Sequence, residues 1–335
     1  MKALKRFYSF LVVILFISCD KTSDFYTIQG EAQGSTYSIK YISHKELVTK
    51  FQIDSLLNVF DLSLSTYRPD SKISKINNGD STLVVDAFFE ETFKASKQIF
   101  EETNGLFDPT VGVLVNAYGF GPNKKQENLS QKQIDSLLTF VGFNKVSLNS
   151  NKTISKKHPE TYFDFNAIAQ GYAVDIVADF LKSKGIENLI VEIGGEIVAK
   201  GSNTIDNKNW TIGIDDPVQS QTTRTLITKI KIKDLGMATS GNYRKVITDS
   251  ITGEKFVHTI NPKTGKPQKG KILSATVLTN SCKMADGYAT AFMVMDIEKS
   301  LEFLKNKPNL YVFFIYVDEK GSVQQYKNKK FATLE

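Results

Sequence analysis

One stretch constrains this chain more than any other: Phe163 to Val177, reading FDFNAIAQGYAVDIV. It opens on an apolar and polar alternation, passes through Asn166, and enters an apolar-periodic run that reaches Phe180 and Leu181 and stops at Gly185. That pattern predicts a strand end, a tight turn and a buried helix. A turn feeding a helix N-terminus leaves backbone amides without intrahelical acceptors, and such amides favour an anion. Asp164 sits just before the turn and Gln170 one turn inside the helix, so polar side chains and free backbone meet at one point. An ordinary strand-to-helix connection capped by Asn166 would read the same way, so this stretch alone marks a place and not a chemistry.

The 335 residues are enough for one large core or two smaller ones. A composition that is 41% hydrophobic and 23% charged excludes a polytopic membrane protein and a disordered chain. The N-terminus stands apart. Lys2, Lys5 and Arg6 precede an apolar run from Phe7 to Ile17, too short for a comfortable membrane span and followed by Ser18-Cys19. A cysteine at that boundary resembles a lipoprotein processing site. Residues 1–18 are therefore expected to be a signal peptide, with Cys19 lipidated, 19–24 a tether and 25–335 the folded body, anchored to a membrane on its extracytoplasmic side. A plain signal peptide with an incidental cysteine is the alternative.

Removing residues 1–18 takes away three basic and no acidic residues, so the net charge falls from +6 to +3. That balance is too mild to argue for a nucleic-acid partner, and no basic stripe with interleaved aromatics is present. With Cys19 lipidated, Cys282 has no partner for an internal disulfide and is expected to be buried and inert.

Residues 25–42 read as two strands around Gly30 to Gly34. A helix is expected from about Glu46 to Phe60, with Phe51, Leu56, Leu57 and Phe60 on its apolar side. A short helix capped by Ser71 and a longer one over Asp86 to Thr103 follow. Ser130 to Leu138 is a further helix, and VSLNSNKTIS a hairpin. Beyond the central stretch come a strand pair broken at Gly194-Gly195, the strands WTIGI and LITKIKI, and a hairpin turning at Thr252-Gly253. LSATVLT is a strand, followed by a helix carrying Ala285 to Met295, then a last helix and two strands. Hairpins and helices mixed in this way, with no repeat or linker after about residue 25, predict a single α+β body with largely antiparallel sheets.

Several stretches carry chemistry. Asp286 and Thr290 are four apart on a predicted helix and share a face, and a carboxylate with a hydroxyl offers the hard oxygen donors that Mg²⁺ prefers. His258 is one of three histidines and lies in a loop, where it can serve as acid, base or phosphate donor, or hydrogen-bond its own loop. Thr239 to Arg244, TSGNYR, packs hydroxyls, a glycine, an aromatic and a guanidinium together, as a phosphate grip or a plain turn between strands. Phe107-Asp108-Pro109-Thr110 with Tyr118 to Gly121, and Tyr67 nearby, offer aromatic faces for a planar ligand or a packed core corner.

Taken together, LSTYRPDS, GLFDPTVG, AQGYAVD, VEIGGEI, ATSGNYR, HTINPKTGKP and ADGYATA resemble the FAD:protein FMN transferases, the ApbE-type flavin transferase lipoproteins, in order and over nearly the whole chain from about Tyr26 to Phe331. The resemblance implies the ApbE-like fold and a Mg²⁺-dependent enzyme that moves FMN from FAD to a threonine or serine hydroxyl of a target protein and releases AMP. It further implies a flavin-acceptor partner that is a subunit of a membrane redox complex, such as a sodium-pumping quinone reductase. By the same resemblance Asp286, Thr290 and the Ala167 carbonyl match the metal ligands, and His258, with Asp286, the residues that assist transfer. Gln33, Tyr67, Leu106, Phe107, Asp108, Asp164, Gln170 and Ile260 match positions that contact the flavin nucleotide. Three departures stand out. Gln170 replaces a lysine, Gln33-Gly34-Ser35 replaces Met-Gly-Thr, and Gly287-Tyr288 replaces smaller residues between the metal positions. Two other readings use the same residues: a Mg²⁺-dependent pyrophosphatase giving FMN and AMP, and a surface lipoprotein that only binds FAD.

Overall fold

A computed structural model describes residues 23–122, 129–217, 225–241, 246–248, 255–257, 259–267 and 270–335. The chain opens with the hairpin β1 (Asp24–Ala32) and β2 (Ser35–Ser43), so β1 takes up the last residue expected in the tether. Five helices follow: α1 (Lys50–Leu64), α2 (Lys72–Asn77), α3 (Ala87–Glu102), α4 (Gly112–Ala117) and α5 (Gln131–Leu138). The small hairpin β3 (Val146–Leu148) and β4 (Ile154–Lys156) leads to α6 (Asn166–Ser183). Then come β5 (Leu189–Ile193), β6 (Glu196–Lys200), β7 (Trp210–Asp215), β8 (Leu226–Ile232), β9 (Leu235–Gly241), β10 (Val246–Thr248), β11 (Lys255–Val257) and β12 (Ile272–Thr279). α7 (Cys282–Val294), α8 (Ile297–Lys305), β13 (Tyr311–Val317), β14 (Val323–Lys327) and α9 (Lys329–Ala332) close it.

Eight strands form one sheet in the order β1-β2-β5-β6-β9-β12-β13-β14, and every pairing in it is antiparallel. Side chains alternate across a strand, so each strand serves two cores. Tyr37, Ile39 and Tyr41 of β2, with Leu189, Val191 and Ile193 of β5, face the layer built by α1, α3, α6 and α7. Ile42, Ala199, Met237, Leu278 and Phe313 point the other way, onto Trp210, Ile212 and Ile214 of β7 and Phe331 of α9. The expected α+β body with largely antiparallel sheets is what the chain adopts.

Local chemistry explains where the elements begin. α3 starts after Asp86, whose carboxylate accepts from the Phe89 amide. α1 begins at Lys50, four residues later than expected, because Thr49 and Gln52 form a capping box there. The shift turns Phe51 out to 79% exposure and brings Ile53 and Leu64 inward beside Leu57 and Phe60. No strand runs through residues 163–165 into α6: Phe163 and Phe165 are buried in aromatic contact with Phe89, and Asn166 is the first helical residue and not a cap. Gly112 to Ala117 form a short helix that no sequence pattern announces, and Thr239 to Gly241 lie inside β9 and not in a turn. Asn242, Tyr243, Arg244 and the turn at Thr252-Gly253 lie outside the described residues.

Candidate metal and nucleotide site

The site forms where α6 and α7 meet on one face of the sheet. Gly171 lies in the second turn of α6, and a Cβ there would come within 2.5 Å of the Cys282 carbonyl oxygen and 2.8 Å of the Asp286 Cβ. Only hydrogen fits, so the two helices touch backbone to backbone. The Gly171 amide, whose intrahelical acceptor would be the Ala167 carbonyl, donates to Asp286 Oδ2 at 3.0 Å. Asp286 is 6% exposed and has no ion pair among the described residues. Burial pushes its carboxyl up to about 7; the Gly171 amide opposes this, and the nearby Asp175 carboxylate adds to it. A buried carboxylate with one neutral donor is a place for a cation.

Thr290 stands one turn along α7 on the same side, its Oγ1 3.3 Å from Ser240 Oγ on β9. Gly287 and Tyr288 point elsewhere. A Cβ on Gly287 would meet Ile99 of α3 at 2.3 Å, and the Tyr288 hydroxyl donates to Glu102. The departures at 287 and 288 therefore leave the Asp286 and Thr290 side of α7 untouched. Among the described residues no three His, Cys, Asp or Glu side chains gather as a metal cluster. A cation here would rest on one carboxylate, a hydroxyl and backbone carbonyl oxygen, a donor set suited to a hard ion.

Around the N-terminus of α6 the chain gathers segments far apart in sequence. The Asp164 amide donates to the Pro109 carbonyl at 2.8 Å, and Asp164 Oδ1 accepts from the Asn166 amide at 2.8 Å. Asn77 clamps Phe163 by both its amide and carbonyl, at 2.8 and 2.9 Å. Tyr67, 58% exposed, lies within electrostatic reach of Asp164 and Tyr162; burial of its hydroxyl and those two neighbours push its pKa up. Lys263 reaches Gly105, so the loop of residues 259–267 closes against the stretch carrying Leu106 and Phe107. Gln170 Nε2 donates to the Ile193 carbonyl at 3.1 Å and to the Glu196 carboxylate. It is thereby bound to the turn between β5 and β6, which lies against Ser35 and Thr36 of the first hairpin.

The remaining expected contacts divide by environment. Gln33 holds a left-handed backbone (φ 54°), hydrogen-bonds Asp61 at the end of α1, and leaves its Oε1 buried without a partner. That orphaned acceptor suits a ligand donor. A cavity of about 450 Å³ between β1 and α1 ends at Asp61. Phe107 is 3% exposed and belongs to the main core, while Leu106 is half-buried against it. Asp108 is consumed by its own loop: Oδ1 accepts from the Thr110 amide and hydroxyl, Oδ2 from the Phe143 amide at 3.1 Å. Ile260 is buried with Leu114 and Val141 in a small core of its own. His258 and Cys19 lie outside the described residues. Cys282 is buried, and burial raises its thiol pKa. Sequence reasoning gives Gly171 and Glu196 no part of their own in the site and takes Ser240 only as one hydroxyl of the stretch 239–244; a glycine inside an otherwise unbroken helical run is the one available sign of the first.

An antiparallel α+β body with a carboxylate and a hydroxyl set beside a helix N-terminus is the class that this fold and site define. The family is narrower: the model of the ApbE family matches residues 33–314, and the chain belongs to that family. It is 35% identical over 318 residues to the FAD:protein FMN transferase of Haemophilus influenzae, covering 91% of this chain and 90% of that one. It is 37% identical over 296 residues to the FAD:protein FMN transferase of Vibrio cholerae, covering 86% and 87%. Among solved structures it resembles the flavin transferase ApbE from Vibrio cholerae, with a TM-score of 0.82 at 33% identity over 94% of this chain and 100% of the other. The apo flavinyl transferase ApbE of Pseudomonas stutzeri gives the same TM-score at 30% identity, covering 93% and 97%.

Proposed function

We infer that this chain transfers the FMN half of FAD to a threonine or serine hydroxyl of a protein and releases AMP. The observation that carries the chemistry is the Asp286 carboxylate, buried beside the first turns of α6 on one backbone amide, with Thr290 one turn further along. In the transfer, the acceptor oxygen forms a new bond to the flavin-side phosphorus. The bond from that phosphorus to the bridging oxygen breaks, and the oxygen leaves with its electron pair on the AMP phosphate.

The residues divide the work. Mg²⁺, held by Asp286, Thr290 and the Ala167 carbonyl, would neutralise the pyrophosphate and the charge that develops on the departing phosphate. Gly171 fixes the Asp286 carboxylate by donating to one oxygen, which leaves the other for the cation. Tyr67 offers a half-exposed ring for flavin or adenine, and Gln33 a buried acceptor. A hydroxyl is a weak nucleophile and must lose its proton as the new bond forms. His258 is assigned that proton; Thr259 and Ile260, which follow it, are buried in the loop that reaches Gly105. The acceptor is read as a subunit of a membrane redox complex, met by an enzyme tethered through lipid on Cys19. No helix among the described residues is long and apolar enough to cross a membrane.

The test combines protein lacking residues 1–19 with FAD, Mg²⁺ and a flavin-acceptor subunit from the same organism. In-gel flavin fluorescence and an FMN mass increment on a threonine or serine are expected, both lost with chelator or with Asp286→Ala. Free FMN and AMP with no labelled acceptor would instead identify a pyrophosphatase. FAD left whole would identify a carrier.

A further inference from the structure

α6 and α7 are joined by two reciprocal contacts. At one, Asp286 of α7 accepts the Gly171 amide of α6. At the other, Asp175 of α6 accepts from the Cys282 and Lys283 amides that open α7, both at 2.9 Å, and from Ser281 Oγ at 2.9 Å. Gly171 and Asp175 are four apart, as are Cys282 and Asp286, so each helix gives one donor site and one carboxylate on a single stripe. No side chain pads the space between, since Gly171 lies against the Cys282 carbonyl. The sheet closes the opposite side: a Cβ on Gly236 would come within 2.3 Å of the Cys282 nitrogen. α7 is therefore wedged at its first residue, and any slip there is carried one turn along to Asp286 and two turns to Thr290.

α7 already has its own cap, because Ser281 Oγ accepts from the Met284 amide. The Lys283 ammonium is turned to Glu91 at 2.7 Å and lies 4.4 Å over the Tyr172 ring. Asp175 thus completes the cap from a different helix, accepting the two first-turn amides that Ser281 does not satisfy.

We propose that Asp175 is a positioning residue for the metal site, fixing the register of α7 on α6 so that Asp286 and Thr290 are presented beside the Ala167 carbonyl. It acts through the helix and touches neither metal nor substrate. This rests on the reading of Asp286 and Thr290 as metal ligands.

Asp175→Asn is the informative variant, because the amide keeps one acceptor but turns its NH₂ toward a donor. Mn²⁺ binding to the protein alone, followed by electron paramagnetic resonance, reads the site without FAD or acceptor. The expected result is a folded protein whose Mn²⁺ affinity, and whose Mg²⁺ requirement for transfer, weaken by about 10–100-fold, as for removal of other groups that orient metal ligands. The rate at saturating Mg²⁺ should change far less, and Asp175→Glu should recover part of the affinity. A folded Asp175→Asn protein with unchanged Mn²⁺ affinity would overturn the proposal, whatever its melting temperature. Should that variant not fold, Ser281→Ala removes the hydroxyl's contact with Asp175 together with the cap on the Met284 amide, and Ser281→Asp restores an acceptor for that amide but sets a like charge against Asp175; Mn²⁺ binding weakened in both supports the proposal, and binding unchanged in Ser281→Ala or restored in Ser281→Asp overturns it. Asp286→Asn separates the two readings. If it too leaves Mn²⁺ binding unchanged, the metal assignment falls and this inference with it; if it abolishes binding while Asp175→Asn does not, only the positioning role falls.

Discussion

Gly171 is the residue on which the dimensions of the site depend. Its missing side chain lets Asp286 reach a backbone amide, and its amide in turn holds the carboxylate in place. Gly171→Ala puts a methyl group within 2.5 Å of a carbonyl oxygen on a wedged helix. Overpacking of that kind costs about 1–3 kcal/mol, and on a wedged helix with no room to give the upper part of that range exceeds the ~1 kcal/mol that alanine gains over glycine in a helix interior. The variant should melt lower and bind Mn²⁺ more weakly, which calorimetry and a metal titration would show. Unchanged values of both would mean that the helices separate freely at this point. The spacing of Asp286 and Thr290 was legible in the sequence, since four residues on a helix define a face. The part Asp108 plays was not: its carboxylate binds the Phe143 amide, a partner that no local pattern announces.

At the scale of elements, caps fixed the ends that sequence could place. Asp86 and Ser130 begin helices within a residue of the expected position, and Gly185 follows the end of α6 with φ at +81°. The start of α1 was missed because hydrophobic periodicity was extended past Thr49, where the capping box decides. The central stretch was read as strand then helix because Phe163 and Phe165 alternate with polar residues; aromatic packing against α3 gives the same alternation without a ladder. Gln170 shows how an element is pinned. It binds α6 to the turn between β5 and β6 through the Ile193 carbonyl and Glu196. A lysine ammonium could donate to both of these oxygens, so the residue usual in the family and the residue here can serve one purpose. Gln170→Lys should keep the melting temperature and the FAD affinity close to wild type. Gln170→Ala, which strips a donor from two buried acceptors, should cost about 1–3 kcal/mol. A scan showing lysine as damaging as alanine would mean that this contact is not what the position supplies.

At the scale of the whole molecule, the site is a property of the topology. The first hairpin, the α1–α2 connection, the stretch after α3, the start of α6, the turn after β5, the end of β9 and α7 all reach one rim, from residue 33 to residue 290. The α+β class was legible because hairpins outnumber crossovers in the sequence. The rim was not, because convergence depends on which strands neighbour one another in the sheet, and β6 meets β9 across an inserted hairpin. α6 and α7 lie side by side, so ligands bound at their contact bridge the middle of the chain and its C-terminal third. A ligand that binds only the folded state stabilises it by about 2.7 kcal/mol at 100 times its dissociation constant. If FAD and Mg²⁺ share this rim, each should improve the binding of the other, and the thermal shift with both should exceed the sum of the separate shifts. Asp286→Asn should abolish the Mg²⁺ contribution and the excess while leaving the shift with FAD alone. Shifts that merely add in the wild type would place the two ligands at independent sites. An excess that survives in Asp286→Asn would keep the shared rim and move the cation off α7.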